Sequence, residues 1–302
     1  MNEYAYSKRL KTPSKMPDLD FSLPTTETMA KIIVRTQLLK TEKYNFPKDC
    51  LVEKKKYESK DGESFDTWII SAANKEKENK ALLYIHGGAY YLPVTCETLA
   101  LACEYAKRLK VDVYIPEYRL VPNYVAPKAL EDCISLYEDL IKENDIAILG
   151  ESAGGALAAG MCGYLLDNNI RVPKGLLLIY PVLDKENEGY PSKEKYKDAI
   201  WSLSANNHMW EAYLKDCENE YLVPMKRINL SGFPQTYIEP QEIDILCDEA
   251  IVYAERLKES HVQVDCTVIP NSYHGFDGDL ESELVQEAIE KRIKMMETMF
   301  KK

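Results

Sequence analysis

The chain has 302 residues, of which 45% are hydrophobic and 29% charged, and its formal net charge is −11 at neutral pH. Nucleic acid and anionic membrane surfaces are disfavoured as partners, because both require clustered Lys and Arg. The length suits one hydrophobic core with an accessory element. Residues 1–20 lack the apolar run of a secretory signal, and no stretch of about 18 apolar residues occurs. We therefore expect a cytoplasmic protein without a membrane span.

The spacing of the cysteines bears on disulfides and metal sites. Eight cysteines are scattered without a C-x-x-C pair, which disfavours a disulfide framework, and neither a metal site nor a cofactor is predicted.

Apolar residues at helical spacing predict an amphipathic helix over 26–39, whose apolar face must be covered by another part of the protein. Strands are predicted at 51–57 and 65–70, joined by the turn at 60–62.

From residue 81 onward, predicted strands and helices alternate. The strands are 81–85, 111–115, 146–149, 175–180, 236–239 and 264–269, and the helices are 95–110, 126–142, one following residue 152, 243–259 and 280–300. This alternation predicts a mostly parallel sheet covered on both faces, with the first two strands at one edge. The segment 184–230 is too long for a simple loop and is predicted to be a helical insertion. Together with residues 1–45 it is expected to form a lid over the carboxyl edge of the sheet, where ligands bind.

A sharp turn is predicted between the strand 146–149 and the helix that follows it. The turn has the sequence Gly150-Glu151-Ser152-Ala153-Gly154, a G-x-S-x-G pattern. In this pattern the serine adopts a strained conformation that exposes its hydroxyl, and side chains at the two glycine positions would collide with neighbours. Ser152 is therefore the candidate nucleophile.

A serine nucleophile needs hydrogen-bond donors for the developing oxyanion and a base to accept its proton. His86-Gly87-Gly88-Ala89 follows the strand 81–85 directly, so the N–H groups of Gly87 and Gly88 can turn toward a substrate oxygen. The N–H of Ala153 would complete this oxyanion hole.

Four histidines are available as the base. His274 follows the predicted strand 264–269 in a loop that emerges at the same edge as Ser152, and it is the preferred candidate. The other three lie in the glycine turn, in the insertion and in a charged stretch, and they are His86, His208 and His261.

The acid that orients the base is expected between Ser152 and His274 in the chain. Asp244 follows the strand 236–239 by a short loop and is predicted to open a helix, which makes it the preferred candidate. Asp248, one helical turn later, is expected to face solvent or to stabilise the first turns of the helix. Asp184, beyond the strand 175–180, remains the alternative because a carboxylate there can also reach the base.

Five motifs occur in order along the chain: His86-Gly-Gly-Ala, Tyr118-Arg-Leu-Val-Pro, Gly150-Glu-Ser-Ala-Gly-Gly155, Asp244-Ile-Leu-Cys-Asp-Glu249 and His274-Gly-Phe276. From about residue 65 to the C-terminus, the chain resembles the hormone-sensitive-lipase-like branch of α/β-hydrolases, which includes bacterial acetyl esterases and carboxylesterases. The resemblance implies an α/β-hydrolase fold with an eight-stranded, mostly parallel sheet flanked by helices. It also implies a catalytic domain at 46–302 and a helical cap made of residues 1–45 and the insertion at about 184–230.

The same resemblance implies roles for individual residues. Ser152 would be the nucleophile, His274 the base and Asp244 the orienting acid, with oxyanion donors at Gly87, Gly88 and Ala153. Ala89 stands where the family often has a third glycine. Because Gly87 and Gly88 would supply the key N–H groups, this difference is expected to change the shape of the pocket more than its ability to stabilise an oxyanion. The other departures, Asn123 and Cys247, do not touch the triad. Tyr118, Arg119 and Asp132 are interpreted as structural, and the role of Glu151 stays open.

The favoured function is a serine esterase that hydrolyses short-chain or small carboxylic esters, with acetyl esters preferred, through an acyl-enzyme. The alternatives are an amidase or peptidase on the same fold and a non-catalytic small-molecule receptor. Tyr90 and Tyr91 beside the glycine turn are candidate substrate-binding residues with polar-tipped rings, although tyrosine also replaces phenylalanine generally in this composition. The expected partner is a small-molecule ester. The resemblance also implies that a homodimer is possible, because the last strand and helix form a common pairing surface in that family.

Overall fold

The computed structural model describes residues 4–11, 14–74 and 79–301. Of the predicted N-terminal segment, residues 1–3, 12 and 13 lie outside the described residues, as do 75–78 and 302 of the predicted catalytic domain. All eight cysteines are described and unpaired. None of the described helices has the length and apolar composition that a membrane span requires.

Eight strands form the main sheet: β1 (Cys50–Glu58), β2 (Ser64–Ala72), β3 (Lys80–Ile85), β4 (Asp112–Pro116), β5 (Asp145–Glu151), β6 (Gly175–Ile179), β7 (Thr236–Glu239) and β9 (Val264–Cys266). Their order is β1-β2-β4-β3-β5-β6-β7-β9. β2 runs antiparallel to both of its neighbours, and every other pair is parallel. This arrangement confirms the predicted eight-stranded, mostly parallel sheet with the first strand pair at one edge.

Helices cover both faces of the sheet, because the central strands are apolar on both sides. One face packs against α2 (Cys96–Leu109) and α8 (Glu283–Phe300). The other face packs against α3 (Lys128–Leu140), α4 (Ala153–Asp167) and α7 (Cys247–Glu259). α1 (Pro24–Thr41) is the predicted amphipathic helix, and much of its apolar surface is exposed, including Met29 and Ile32.

The prediction of one strand over 264–269 is wrong. β9 ends at Cys266, and a second strand, β10 (Ile269–Tyr273), begins after a bend. At the bend, the Thr267 N–H donates to the Ile238 carbonyl at 2.9 Å, and the Ile269 N–H donates to the Pro240 carbonyl at 2.9 Å. These bonds direct the chain out of the main sheet toward the carboxyl edge.

The predicted start of the helix at residue 243 is also wrong. Gln241–Ile243 forms the strand β8, which pairs in parallel with β10 in a separate two-stranded sheet. α7 therefore begins only at Cys247, and Asp244 lies in the connection between β8 and α7. The pairing with β10 is nonlocal, which is why apolar spacing alone extended the helix too far.

The connection between β6 and β7 is helical, as predicted for the insertion. It contains α5 (Pro191–Lys195), α6 (Leu203–Leu214) and a 3₁₀ turn at Pro224–Lys226. The N-terminal segment contacts this connection, since Asp18 Oδ1 lies 2.7 Å from His208 Nδ1 and the Met16 N–H donates to the Ile200 carbonyl.

Candidate active site

The turn between β5 and α4 places Ser152 in a strained backbone conformation. Its φ and ψ are 52° and −119°, a left-handed region that costs a non-glycine residue of order 1–3 kcal/mol. A Cβ on Gly150 would lie 2.4 Å from the Gly154 carbonyl oxygen, and one on Gly154 would lie 2.1 Å from the Ile85 carbonyl oxygen. Both distances are too short for a side chain, so the tight approach of backbones requires glycine at these two positions.

Ser152, His274 and Asp244 form a continuous hydrogen-bonded chain. Ser152 Oγ lies 2.9 Å from His274 Nε2, and His274 Nδ1 lies 2.7 Å from Asp244 Oδ2. With Nδ1–H donating to the carboxylate, Nε2 is left to accept the serine hydroxyl. The second carboxylate oxygen of Asp244 accepts the Leu246 N–H at 3.1 Å. The exposed fractions are 7% for Ser152, 3% for His274 and 1% for Asp244, so solvent hardly screens these contacts.

The two-stranded sheet brings the acid and the histidine to this place. Asp244 follows the last residue of β8, and His274 follows the last residue of β10. Because the two strands are parallel, their carboxyl ends meet at the same edge, next to the end of β5. The strands that sequence reasoning missed are therefore the elements that position two of the three side chains.

Asp184 and Asp248 form hydrogen bonds with residues of the insertion and not with His274. Asp184 Oδ2 accepts the Tyr190 hydroxyl at 2.7 Å, and its Oδ1 accepts the Glu186 N–H at 3.2 Å. Asp248 Oδ2 accepts the N–H of Ser192 in α5 at 2.6 Å, so Asp248 does not simply face solvent. Asp184 therefore links residues within the connection between β6 and β7, and Asp248 links this connection to α7.

The other three histidines lie elsewhere. His86 is buried beneath the glycine turn, where its ring stacks on Tyr118 with centroids 4.2 Å apart, and burial lowers the pKa of His86 to about 4. His208 binds Asp18 of the N-terminal segment. His261 follows α7, and its N–H donates to the Lys258 carbonyl.

The glycine turn after β3 lies against the serine. A Cβ on Gly87 would approach Ser152 Cβ to 3.2 Å, and Gly88 has a φ of +109° that favours glycine. Among the described residues, the backbone N–H groups of Gly87, Gly88 and Ala153 have no hydrogen-bond acceptor. For Ala153 this follows from its place at the start of α4, since the first N–H groups of a helix lack an intrahelical partner.

Tyr90 and Tyr91 point in different directions. Tyr91 lines the cavity beside Ser152, and its hydroxyl donates to the Pro17 carbonyl at 3.2 Å. The Tyr90 ring instead lies in the core, stacked on Tyr213 with centroids 3.6 Å apart. Tyr90 is not among the residues that line the cavity, so the structure brings only one of the two candidate substrate-binding residues to the site.

Residues behind the turn fix its position. The Tyr118 hydroxyl donates to the His86 carbonyl at 2.9 Å. Arg119 Nη2 donates to Asp132 Oδ1 at 2.7 Å, and the Arg119 N–H donates to the other oxygen of the same fully buried carboxylate at 2.9 Å. These contacts agree with the structural interpretation of Tyr118, Arg119 and Asp132.

A cavity of about 220 Å³ opens onto the serine and the histidine. Its walls come from the glycine turn, the N-terminal segment, α2, the insertion and the loop after β10. They are formed by Met16, Pro17, Gly87, Gly88, Ala89, Tyr91, Leu92, Thr95, Glu97, Thr98, Leu101, Glu151, Ser152, Tyr180, Trp201, His274, Gly275, Asp277 and Gly278.

Sequence reasoning missed a buried charge cluster next to this cavity. Arg292 of α8 is fully buried and contacts Glu239 Oε1 at 2.5 Å and Asp277 Oδ2 at 2.7 Å. The Tyr180 hydroxyl donates to the other oxygen of Asp277 at 2.7 Å. The signal in the sequence is that Arg292 lies on the apolar face of its helix, which is unusual for a charged residue without a partner.

Comparison with known proteins agrees with the fold and the motifs. A family model described as alpha/beta hydrolase fold matches residues 82–278. Lipase 2 of Moraxella sp. strain TA144 is 27% identical over 251 residues, which cover 68% of this chain and 56% of that protein. An esterase of Acinetobacter venetianus is 28% identical over 203 residues, which cover 65% of this chain and 67% of that protein. The match thus spans little more than half of the first relative and two thirds of the second.

A solved structure described as a bacterial heroin esterase has a TM-score of 0.80 and 26% identity to this chain, and the alignment covers 92% of both chains. A Pyrobaculum calidifontis esterase has a TM-score of 0.82 at 23% identity, with 95% of this chain and 96% of that chain covered. Together with the family model, these likenesses extend the fold over nearly the whole chain. The chain therefore belongs to the α/β-hydrolase family, in its hormone-sensitive-lipase-like branch.

Proposed function

We propose that the protein is a serine esterase that hydrolyses small carboxylic esters, preferably acetyl esters, through an acyl-enzyme. The observation that carries the proposal is the hydrogen-bonded chain from Ser152 Oγ through His274 to Asp244 at the wall of a cavity. Serine alone is a poor nucleophile at neutral pH, and this arrangement supplies both the base and its orienting acid.

In the proposed mechanism, Ser152 Oγ attacks the ester carbonyl carbon while His274 Nε2 takes the hydroxyl proton. Asp244 holds the imidazole in the required tautomer and stabilises the imidazolium that forms. His274 then gives the proton to the leaving alcohol, and an acyl-enzyme remains. Water, deprotonated by the same histidine, attacks the acyl carbon and releases the acid and the free serine.

The oxyanion of each tetrahedral intermediate is proposed to accept hydrogen bonds from the N–H groups of Gly87, Gly88 and Ala153. The absence of protein acceptors for these groups within the described residues supports this role, because donors already committed elsewhere would have to break a bond first. Preorganised donors of this kind contribute on the order of 10²–10³ in kcat each.

The preference for small esters rests on the dimensions and the walls of the cavity. A volume of about 220 Å³ lies below the range of about 300–1,000 Å³ for drug-sized ligands. Met16, Pro17 and Trp201 line it, so we propose that residues 1–45 and about 184–230 together act as the cap that limits substrate size. Of the two tyrosines predicted to bind substrate, only Tyr91 is retained in this proposal.

The oligomeric state and the location of the protein are two further parts of the proposal. A homodimer would use β9, the edge strand of the main sheet, together with α8. Size-exclusion chromatography with light scattering tests this state, and a monomer at all concentrations would exclude it. A cytoplasmic location remains a prediction that fractionation of the source cells tests.

The direct test is hydrolysis of p-nitrophenyl acetate by the wild type and by Ser152→Ala. We expect a loss on the order of 10⁴-fold or more in kcat/KM, with unchanged thermal unfolding as evidence that the variant is folded. Ser231→Ala, at an exposed serine far along the chain, is the matched control and should retain activity. The amide p-nitroacetanilide, measured in parallel, separates an esterase from an amidase with the same acyl group.

A further inference from the structure

A buried cluster beside the cavity has more carboxyl groups than cations. Glu151, Glu239 and Asp277 lie together beside a single guanidinium, that of Arg292. All four residues are at least nine-tenths buried, and Glu151 and Asp277 also line the cavity. Since Arg292 is shared by Glu239 and Asp277, no cation of the described residues pairs with Glu151.

One oxygen of Glu151 is without a partner. Its Oε1 accepts the hydroxyl of the fully buried Tyr84, whereas its Oε2 has no hydrogen-bond donor among the described residues. Glu151 is only 6% exposed. Glu151 lines the cavity, so a bound molecule can supply the donor or positive charge that this carboxyl oxygen lacks.

Burial and, to a smaller extent, the negative charge of Asp277 raise the pKa of Glu151, while Tyr84 and Arg292 act in the opposite direction, and the net pKa is about 8. The empty site therefore favours the protonated acid at neutral pH. The ionisable groups that influence Glu151 are Tyr84 on β3, Tyr105 on α2, Tyr118 after β4, Tyr180 after β6, Glu239 on β7, Asp277 after β10 and Arg292 on α8. A cation placed beside Glu151 would favour its ionised form.

The surroundings suit an organic cation. The aromatic residues Tyr91, Tyr180 and Trp201 line the same cavity, and aromatic faces attract ammonium groups. The described residues contain no cluster of three or more side chains arranged to hold a metal ion. The combination of an unpaired carboxyl and aromatic walls is the arrangement that recognises ammonium groups rather than anions.

We propose that the site selects esters that carry a cationic ammonium group, which binds against Glu151 within the aromatic walls of the cavity. This inference rests on the proposed esterase function and names its substrate class. It also predicts that esters with a carboxylate in the same position are poor substrates, because Arg292 is already shared by Glu239 and Asp277 and no cation remains beside Glu151 to pair with the carboxylate.

The test compares two acetyl esters of the same shape and different charge. Acetylcholine carries a trimethylammonium group, and 3,3-dimethylbutyl acetate carries a neutral tert-butyl group in its place. We expect the wild type to favour acetylcholine in kcat/KM by at least about tenfold. Glu151→Gln keeps the size of the side chain and removes its charge, so the ratio should fall to near one while hydrolysis of the neutral ester persists.

Glu97→Gln is the matched control, because Glu97 lines the same cavity but is exposed. Its ratio should stay close to that of the wild type, within about twofold. A loss of preference in this variant equal to that in Glu151→Gln would overturn the assignment to Glu151. So would a wild type without preference, or a Glu151→Gln variant that keeps it.

The wild type provides a second readout if Glu151→Gln does not fold. The ratio of the two esters cancels any pH effect that both hydrolyses share, and it should increase between about pH 6.5 and 9 as Glu151, with its pKa near 8, ionises. A ratio independent of pH would contradict the proposal. A wild type that cleaves neither ester would contradict the esterase function itself, whereas one that cleaves both equally would contradict only this inference.

Discussion

Replacing Arg292 by methionine tests how the charge cluster behind the cavity is held. Arg292 donates from Nε and Nη2 to the two oxygens of Glu239, at 3.1 and 2.5 Å, and from Nη1 to Asp277 at 2.7 Å. The side chains of Arg292 and Glu239 are fully buried, and that of Asp277 is 3% exposed. The variant therefore leaves two carboxylates in the interior without a cation.

Breaking a buried ion pair by removing one partner costs about 3–5 kcal/mol, because the remaining charge is uncompensated. We expect a loss of that size in the free energy of unfolding of Arg292→Met at neutral pH. With a slope of about 3 kcal/mol per molar urea, a loss of about 4 kcal/mol lowers the urea midpoint by more than 1 M. The matched control is Arg9→Met, since Arg9 binds Glu287 of the same helix at 2.7 Å but its side chain is 41% exposed.

The deficit of Arg292→Met should also depend on pH. Carboxyl groups that are buried without a cation take up protons on folding, so the folded variant binds more protons than the unfolded chain and its stability falls as pH rises. The difference from the wild type should be smaller near pH 5 than near pH 8. A midpoint close to that of Arg9→Met, or a deficit that is constant across this pH range, would refute the reasoning.

Two other predictions concern the site and the segments above it. Asp244→Asn should lower kcat for p-nitrophenyl acetate by about 10⁴-fold, because the asparagine holds the histidine in the wrong tautomer. Asp184→Asn should retain kcat within about threefold, since the Asp184 carboxylate binds Tyr190. Equal losses in the two variants would restore Asp184 as a candidate for the acid. Burial lowers the pKa of His208, but the hydrogen bond to Asp18 and the negative charges of Asp18, Asp20 and Glu211 together outweigh it, and the net shift is upward. The contact therefore stabilises the folded state fully below the unfolded pKa of about 6.5 and is lost as pH rises through the folded value. Hydrogen-exchange protection of residues 14–20, corrected for intrinsic rates, should fall from pH 6 to pH 8, and His208→Gln should abolish this dependence; equal dependence in the variant would contradict it.

The parts of the fold that the sequence predicted are those set by local patterns. Alternating apolar runs predicted the order of strands and helices because fully buried parallel strands need no polar positions. The sharp turn at Gly150–Gly154 could be predicted because a strained turn restricts the residue types on either side of the serine. Chain order then limited the acid and the base to a few candidates, among which Asp244 and His274 lie within hydrogen-bond distance of each other. Their catalytic roles stay predictions.

The parts that the sequence did not predict depend on contacts between distant segments. β8 and β10 are short strands that exist through their mutual pairing, so residues 241–243 and 269–273 carry no clear local signal. The direction of Tyr90 is set by a turn in which Ala89 and Tyr90 both have positive φ, at 53° and 60°. Neither residue is glycine, so composition gave no reason to expect that conformation.

The buried charges were the least readable feature. On α8, Arg292 lies three or four positions from Ala288, Ile289 and Met296 and directly before Ile293, and all five residues are buried. That spacing indicated an apolar face, and the presence of an arginine on it was a sign of buried carboxylates elsewhere in the chain. Their identity could not be read, because 49 acidic residues were available as partners.

The central claim is that Ser152 is the nucleophile of an ester hydrolase. Its most direct test is reaction of the wild type with a fluorophosphonate, followed by intact-mass and peptide mass spectrometry alongside residual p-nitrophenyl acetate hydrolysis. We predict one adduct per chain, located on Ser152, with activity lost in proportion to labelling and no adduct in Ser152→Ala. An unlabelled Ser152 in a chain that hydrolyses the ester, or equal labelling of the alanine variant, would contradict the claim.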